Sequence, residues 1–265
     1  MTTNTIPATK NLSTLALAEA LSAKDNKYQL LYFPFHGAVT CLRAMFSMSN
    51  LDFESVYSTV NYVDDVIAKK GFESMFPNRS EWTADKPLAP FGHLPILYIE
   101  TKSKEIIELA ELSTIEFFIA EKMNLLGDNE MEKQLVSMYR SNTQALFDKL
   151  VTTVLRAPKE HAAQMMEIFI TTILPEWASY HERILQANGA NGHYVGNNLT
   201  LADFKTGTMI DNLVSISGEL VISREKTPAI FAVYDNLEKN PKYAKWKASE
   251  EWKAYDSISK ALAPF

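Results

Sequence analysis

The order of apolar and polar positions divides the chain into two parts. Before about residue 125, runs of β-branched and aromatic residues alternate with segments whose apolar residues recur at helical spacing. After residue 128 only the helical spacing continues. The pattern therefore predicts an α/β domain over residues 27–125, a short linker at 125–128 and an all-helical domain over 129–265.

In the first part, the predicted elements follow the order β-α-β-(α)-β-β-α. The predicted strands are Lys27 to Phe33, Phe53 to Val60, Leu94 to Glu100 and Glu105 to Ile107, and the predicted helices are Val39 to Ser49 and Ala110 to Asn124. Residues 63–82 form a mixed, charged connection. This order indicates an α/β sandwich.

In the second part, the helices are bounded by proline, glycine and capping residues. The predicted helices are Asn129 to Arg156, Pro158 to Ala187, Leu199 to Leu213, Thr227 to Leu237 and Pro241 to Trp246. Pro158 suits a first helical turn, whereas Pro175 predicts a kink because it lacks an N–H group. Thr200 and Asp203 have the spacing of a capping box, which predicts the start of a helix.

Residues 1–26 differ from the rest in being rich in Thr, Ala and Ser. Leu12 to Leu21 has the pattern of a short helix, so the segment is either a mobile extension or a surface helix. Glu19 interrupts any signal-peptide core, and the absence of arginine before Arg43 argues against a mitochondrial presequence. We therefore expect a cytoplasmic protein.

Composition excludes several classes of function. Twenty-six basic and thirty-two acidic residues give a net charge of −6, which is unlike a general nucleic-acid binder. Apolar runs such as Leu30 to Phe35 are shorter than the roughly 18 residues that span a bilayer. The single cysteine, Cys41, allows no internal disulfide or CxxC pair, and the histidine spacings predict no metal site. We expect Cys41 to be buried and inert rather than a redox thiol.

Four segments carry motifs of a known family. Three of them match the family pattern: Tyr28 to Phe33 with Gly37 and Arg43 (Y-x-L-x-Y-F-x-x-x-G), Pro90 to Leu97 (P-F-G-x-x-P-x-L) with Trp82 and Lys86 before it, and Gly196 to Phe204 (G-x-x-x-T-x-A-D-F). The fourth, Thr114 to Gly127, is similar to the family's A-I-x-x-Y-L-A…L-x-G helix. Together they resemble the cytosolic glutathione S-transferases of the sigma-like class over residues 27 to about 250. The resemblance implies a thioredoxin-like domain followed by a helical bundle, and a homodimer.

The resemblance also assigns roles to individual residues. Tyr32 is the hydroxyl that stabilises the thiolate of glutathione, with a core tyrosine as the alternative. Pro95 is a cis-proline that turns the backbone of Leu94 to pair with glutathione, with an ordinary trans proline as the alternative. Trp82 and Lys86 hold the glycine carboxylate. His93 either helps Trp82 and Lys86 to hold the glycine carboxylate or is a surface histidine.

The chain departs from the family at the γ-glutamyl end of glutathione. The family's Gln-Ser pair falls on Glu111 and Leu112, and leucine cannot donate a hydrogen bond. Ser113 is one residue further along the predicted helix. Two further family positions, an acid and an arginine, are occupied by Ser141 and Ala38. Glutathione binding is therefore expected to be weak, rearranged or absent, although helix N–H groups could still hold an anion.

The second substrate is expected to be an apolar electrophile. Phe35, Met138 and Tyr139 are candidate lining residues, but the stripe from Met131 to Leu150 has the pattern of core as well. The leading hypothesis is a glutathione transferase with glutathione as co-substrate and without a metal. The alternatives are a glutathione-dependent isomerase or peroxidase, and a ligand-binding or structural protein of the same fold.

Overall fold

The computed structural model describes residues 13–22, 25–59 and 79–262. They form two compact units. The first unit contains the described residues up to Phe118 together with Ala248 to Leu262, and the second contains Ile119 to Lys247. The division falls between Phe118 and Ile119, inside the helix Leu112–Lys122, and not in the linker predicted at 125–128.

The first unit is built on a mixed sheet. Its described strands are β1 (Lys27–Tyr32), β2 (Asp52–Thr59), β3 (Arg79–Glu81), β4 (Ile96–Glu100) and β5 (Ile106–Ala110), in the order β3-β2-β1-β4-β5. The pairs β1–β2 and β2–β3 are parallel, whereas β4 is antiparallel to both β1 and β5. The register places Tyr32 directly beside Tyr57.

Helices complete the first unit. They are α1 (Thr14–Ser22), α2 (Thr40–Met48), the single turn α3 (Trp82–Asp85) and α4 (Leu112–Lys122), and 3₁₀ turns lie at Gly37–Val39 and Lys86–Leu88. Cys41 is buried in α2, as expected. The strand predicted from Leu94 begins at Ile96, because Pro95 has no N–H for a neighbouring strand. The short strand β3 was not predicted, and residues 60–78 lie outside the described residues.

The helix α1 shows that residues 13–22 are a surface helix. Ser13 accepts a hydrogen bond from the Ala16 N–H at 3.1 Å, and its own hydroxyl donates to Glu105 near the β4–β5 turn. Glu19 accepts from the N–H of Ser103 at 2.8 Å, and hydrogen bonds from Ser103 lower the pKa of Glu19. These contacts fix α1 to the β4–β5 hairpin. Residues 1–12 of the predicted extension lie outside the described residues.

The second unit is helical. Its helices are α5 (Glu130–Lys149), α6 (Lys159–Ile168), α7 (Leu174–Ala187), α8 (Leu201–Ser217), α9 (Pro228–Glu238) and α10 (Pro241–Lys247). π-helical segments follow α5 at Leu150–Leu155 and join α6 to α7 at Phe169–Ile173. A kink was expected at Pro175 inside one long helix. The structure instead divides that helix at the second π segment, and Pro175 lies in the first turn of α7, where its missing N–H costs no helical hydrogen bond. Pro158 caps α6 and is not in its first turn.

The predicted capping box of α8 is confirmed. Asp203 accepts from the N–H of Thr200 at 2.7 Å and from the N–H of Tyr194 at 2.8 Å. Both Thr200 and Asp203 are buried. The box therefore fixes the start of a helix inside the bundle and holds the preceding loop against it.

A last helix, α11 (Glu250–Leu262), belongs to the first unit and was not predicted. The domain boundary of 129–265 had placed these residues in the helical bundle. Ser249 caps α11 by accepting from the Trp252 N–H at 3.2 Å, and Glu250 and Glu251 occupy its first turn. Serine followed by acidic residues is a signal for a helix start, so the sequence did contain the missed information.

A buried histidine lies in the helical unit. The His181 ring stacks on Trp177 with centroids 4.2 Å apart, and its Nδ1 is 2.5 Å from the Tyr194 hydroxyl. Its Nε2 is 2.9 Å from Oδ1 of Asn142. Thr206 donates to the Tyr194 oxygen, so the Tyr194 proton is directed to Nδ1. This arrangement suits a neutral ring, and burial lowers the pKa of His181 to about 4.

We expect this histidine to make the stability depend on pH. The unfolded chain binds a proton near pH 6.5 and the folded chain only near pH 4, so stability falls as pH drops through this range. The free energy of unfolding should fall by about 2 kcal/mol between pH 7 and pH 5 through this group. Urea titrations at both pH values measure it. In the variant His181→Gln the difference should shrink, whereas the exposed control His161→Gln should retain it.

Candidate functional site

Tyr32 lies at the end of β1, where the chain turns towards α2. Its side chain is 8% exposed, and its hydroxyl oxygen accepts a hydrogen bond from the N–H of Ala38 at 3.2 Å. Gly37 has a φ of +47°, and a Cβ at Gly37 would lie 2.7 Å from this oxygen. The Gly37–Ala38 turn therefore fixes the position of the hydroxyl. The main chain of Ala38 contributes here, although its side chain cannot replace the family's arginine.

Aromatic rings surround Tyr32 within the first unit. The Tyr32 ring centroid is 5.5 Å from that of Phe33 and 5.7 Å from that of Phe35. Phe33 and Phe35 are nearly parallel at 5.6 Å, and Trp82 meets Phe33 edge-on at 6.1 Å. Phe33, Phe35 and Trp82 are all half-buried. The structure thus brings three predicted site residues, Tyr32, Phe35 and Trp82, into one aromatic cluster with Phe33.

The predicted cis bond between Leu94 and Pro95 is confirmed. Leu94 and Trp82 are partly buried and pack against one apolar cluster, which consists of Leu31, Val56, Ala89, Ile96 and Tyr98. Leu31 directly precedes Tyr32 in β1. The segment before β4 therefore lies on the same sheet face as Trp82 and close to the strand that carries Tyr32.

Lys86 and His93 are exposed and lie near the same turn. Lys86 begins the 3₁₀ turn after α3, and Gly92 adopts a φ of +64°. The Lys86 side chain passes this turn, because a Cβ at Gly92 would be 3.7 Å from Cε of Lys86. His93 follows Gly92 directly. The two side chains are thus available to a ligand on the solvent side of Leu94.

The start of α4 has an unusual backbone. Glu111 has a φ of +69°, a conformation that costs a residue with a side chain about 1–3 kcal/mol and occurs often at functional sites. Its carbonyl accepts from the N–H of Ile115 at 3.0 Å. Glu111 and Ser113 are exposed and Leu112 is half-buried. The first N–H groups of α4 come after this turn and have no partner within the helix.

The candidate residues of the helical unit occupy different environments. The Tyr139 ring packs on Tyr194 with centroids 5.2 Å apart. Met138 is 53% exposed, and Ser141 is exposed as well. Adjacent residues on a helix point about 100° apart, so Met138 and Tyr139 face different directions. Their participation in an electrophile pocket stays a prediction.

Sequence reasoning missed the support behind Tyr32. Arg43 entered only as part of a motif, yet it is 3% exposed and donates from Nη2 to the carbonyl of Phe33 at 2.9 Å. His36 and residues of α11 also pack at this place. The available sequence signal was an arginine eight to ten residues after an aromatic loop, but its burial and its partners are set by the tertiary structure.

Two negative findings concern other chemistry. Among residues 13–22, 25–59 and 79–262, no group of three His, Cys, Asp or Glu side chains has an arrangement that could hold a metal ion. Over the same ranges, no helix combines the length and apolarity needed to cross a membrane.

Comparison with known proteins identifies similar sequences. A family model described as "Glutathione S-transferase, C-terminal domain" matches residues 144–250. The chain is 26% identical over 189 residues to a glutathione S-transferase of Plasmodium falciparum, covering 69% of this chain and 79% of the relative. It is 24% identical over 226 residues to glutathione S-transferase 3 of Caenorhabditis elegans, covering 83% of this chain and 95% of the relative.

Solved structures share the fold. The sigma class glutathione S-transferase of Fasciola hepatica superposes with a TM-score of 0.67 at 19% identity, covering 86% of this chain and 99% of that one. The predicted fold class, an α/β thioredoxin-like domain followed by an all-α domain, is confirmed. Together, the comparisons show that the chain is similar to glutathione S-transferases in sequence and shares their fold.

Proposed function

We propose that this chain is a glutathione transferase in which the Tyr32 hydroxyl activates the thiol of glutathione. The observation that carries the proposal is the position of this hydroxyl. It lies at the end of β1 and accepts a hydrogen bond from the N–H of Ala38 at 3.2 Å. A hydroxyl that accepts one hydrogen bond becomes a better donor of its own proton. Tyr32 is therefore oriented to donate to a sulfur atom bound in front of the strand.

The chemistry required of Tyr32 is modest. A free thiol has a pKa of about 8.5, so only a few per cent is thiolate at neutral pH. A hydrogen bond from the hydroxyl to the sulfur favours the anion, and a shift of one pKa unit needs only about 1.4 kcal/mol. With an aryl halide as the second substrate, the thiol proton leaves to solvent and the thiolate attacks the ring carbon that bears the halogen. The sulfur–carbon bond forms, the carbon–halogen bond breaks and the halide ion leaves with the bonding electron pair.

The peptide part of glutathione has matching groups in the first unit. Leu94 precedes the cis peptide bond and offers its backbone for strand-like pairing. Trp82 supplies an indole N–H, and the exposed Lys86 supplies a positive charge for the glycine carboxylate. His93, which is also exposed, is a further donor. These roles follow the family pattern and the proximity of Trp82 and Leu94.

The γ-glutamyl end requires a different solution from that of the family. Leu112 offers no side-chain donor, so the N–H groups of Leu112 and Ser113 at the start of α4 would hold the carboxylate. Glu111 would bind the ammonium group from its exposed position. A lost hydrogen bond to a charged group costs about 1.5–3 kcal/mol, so glutathione should bind about ten to a hundred times more weakly than with a serine present.

The substitution Leu112→Ser is expected to strengthen glutathione binding. A hydroxyl at the first position of α4 would donate to the γ-glutamyl carboxylate and lower the dissociation constant about tenfold. Isothermal calorimetry on both proteins measures the change. Leu155→Ser, which alters a leucine exposed in the helical unit, is the matched control and should have no effect. An unchanged dissociation constant for Leu112→Ser would place the γ-glutamyl end elsewhere.

The second substrate is proposed to be an apolar electrophile. The half-buried rings of Phe33 and Phe35 next to Tyr32 offer it an apolar surface. Met138 and Tyr139 of the helical unit stay sequence-based candidates for its lining. Sigma-like specificity, a homodimeric state and a cytoplasmic location follow from the family resemblance. A glutathione-dependent isomerase or peroxidase would use the same thiolate. Isomerisation would return glutathione unchanged, whereas conjugation consumes it.

A second candidate is a ligand-binding or structural protein of the same fold. The observation that favours it is Leu112, because the family's donor to glutathione is missing at this position. The arrangement of Tyr32 and Ala38 favours the enzyme, since a purely structural protein does not need an oriented hydroxyl.

Calorimetric titration of glutathione into the purified protein tests the proposal first. We expect saturable binding at micromolar to low-millimolar concentration, followed by turnover of an aryl halide such as 1-chloro-2,4-dinitrobenzene. If several millimolar glutathione gives no detectable heat and no competition, the enzyme hypothesis is rejected. The ligand-binding or structural protein then remains.

A further inference from the structure

The C-terminal helix α11 contacts the loop that follows Tyr32. The N–H of His36 donates to the hydroxyl of Ser259 at 3.0 Å. The His36 ring lies between two aromatic side chains of α11, with centroids 4.9 Å from Trp252 and 5.6 Å from Tyr255. His36 is 3% exposed, so this contact is part of the core of the first unit.

A second contact joins α11 to the strand beside Tyr32. Tyr57 is the neighbour of Tyr32 in the register of β1 and β2. Its hydroxyl oxygen is 2.5 Å from that of Tyr255, and Tyr255 donates to Glu251 at 2.5 Å. The Tyr57 hydroxyl also donates to Glu251, at 3.1 Å. Burial raises the pKa of both tyrosine hydroxyls, so both keep their protons and converge on the Glu251 carboxylate.

Arg43 connects these contacts with Tyr32. Its guanidinium donates from Nη2 to the carbonyl of Phe33 at 2.9 Å and from Nη1 to the carbonyl of Phe35. The same group lies 4.0 Å from the centre of the Tyr255 ring and 5.8 Å from the centre of the Tyr32 ring. The planar fork of arginine suits two carbonyls at once, which a lysine cannot reproduce. Arg43, which belongs to α2, therefore contacts both the loop after Tyr32 and the helix α11.

We propose that Arg43, held in place by Tyr255 of α11, is a positioning residue for the Tyr32 hydroxyl. The inference rests on the proposed function of Tyr32 for its kinetic part. Residues 33–37 lead from Tyr32 to the turn whose Gly37 contacts the Tyr32 oxygen and whose Ala38 N–H binds it. Arg43 fixes this loop at the two carbonyls. Release of the carbonyls moves the turn, and with it the hydrogen bond that orients the hydroxyl.

The test places a fluorine reporter on Tyr32 in the full-length protein. 3-Fluorotyrosine is incorporated at position 32, and the ¹⁹F resonance is recorded without ligand for the parent protein, Arg43→Lys and Tyr255→Leu. We expect the resonance to shift or broaden in both variants. In the unlabelled proteins, kcat should fall about tenfold for Arg43→Lys and less for Tyr255→Leu, because small displacements of a catalytic group are costly. The glutathione dissociation constant should stay within about twofold.

Controls separate positioning from general loss of stability. Arg224→Lys makes the same exchange at an arginine of the helical unit that lies 4.9 Å from the Phe231 ring, and it should leave the resonance and kcat unchanged. Thermal unfolding shows which variants are folded. If Arg43→Lys does not fold, the resonance and kcat of Tyr255→Leu test the proposal. An unshifted resonance with full kcat in a folded variant would overturn the proposal. If the parent protein neither binds glutathione nor turns over substrate, the proposed function fails, whereas the resonance still tests the positioning.

Discussion

Replacement of Tyr32 by phenylalanine is expected to lower kcat at least about 100-fold. The ring and its contacts with Phe33 and Phe35 remain, so only the hydroxyl that accepts from Ala38 is lost. A single oriented hydrogen-bond donor to a developing or bound anion contributes about 10²–10³ in rate. Glutathione itself should still bind within about twofold, since the proposed contact of the hydroxyl is with the sulfur alone and the contacts proposed for the rest of glutathione remain.

The matched control is Tyr28→Phe. Tyr28 lies on the same strand and the same sheet face, is 1% exposed and is four residues from Tyr32. The loss of the Tyr28 hydroxyl should leave kcat unchanged. Steady-state kinetics and the absorbance of the bound thiolate against pH measure both variants. Full activity of Tyr32→Phe would contradict thiol activation by this hydroxyl, and an equal loss in Tyr28→Phe would indicate a general effect of hydroxyl removal on β1.

Replacement of Gly37 by alanine is expected to have the second large effect. A Cβ at this position would lie 2.7 Å from the Tyr32 oxygen and 2.8 Å from Cε2 of Phe35. Carbon atoms cannot approach so closely, so the hydroxyl or the Phe35 ring must move. We expect kcat to fall at least about tenfold, because a displacement of about 1 Å of a catalytic group has effects of this size or larger. Steady-state kinetics measures the loss.

The positive φ of Gly37 requires a control of its own. Alanine at a φ of +47° costs about 1–2 kcal/mol through the backbone alone. Gly196 has a φ of +59°, and a Cβ there would have no atom within 4 Å, so Gly196→Ala carries this cost without a collision. It should lower the unfolding free energy and leave kcat unchanged. Equal kcat values in Gly37→Ala and the parent protein would show that Tyr32 tolerates the displacement or does not act.

Local patterns were sufficient where an element is defined by its own residues. The strand of Tyr32 was predicted within one residue of its bounds, Lys27–Tyr32, because its apolar residues are consecutive and β-type. The capping box at Thr200 and Asp203 was predicted because both partners lie within one helical turn. The cis bond at Pro95 was predicted because the motif around it resembles the family's cis-proline segment. In these cases the determining contacts are short in sequence.

Local patterns failed where a segment takes its role from distant partners. No helix was predicted over α11, and its residues were assigned to the bundle because of their place in the chain, but Tyr255 and Trp252 pack on residues of the first unit. Arg43 was recognised as a motif residue without its partners. Its carbonyl acceptors, Phe35 and Phe33, lie close to it in sequence, but Tyr255 belongs to the last helix of the chain's described part. No periodicity encodes such a contact.

The sequence by itself determined the α/β and all-helical order of this protein, and it identified Tyr32, Trp82 and Pro95 as site candidates. The order of the two parts depends on hydrophobic periodicity, which acts over a few residues, and the site candidates depend on the resemblance of short motifs to a known family. Only the tertiary structure showed that the main chain of Ala38 donates to the Tyr32 hydroxyl. It also showed that the Arg43 guanidinium lies near the rings of both Tyr32 and Tyr255. The physical reason is that buried polar groups must be satisfied, and folding brings their partners together from remote parts of the chain.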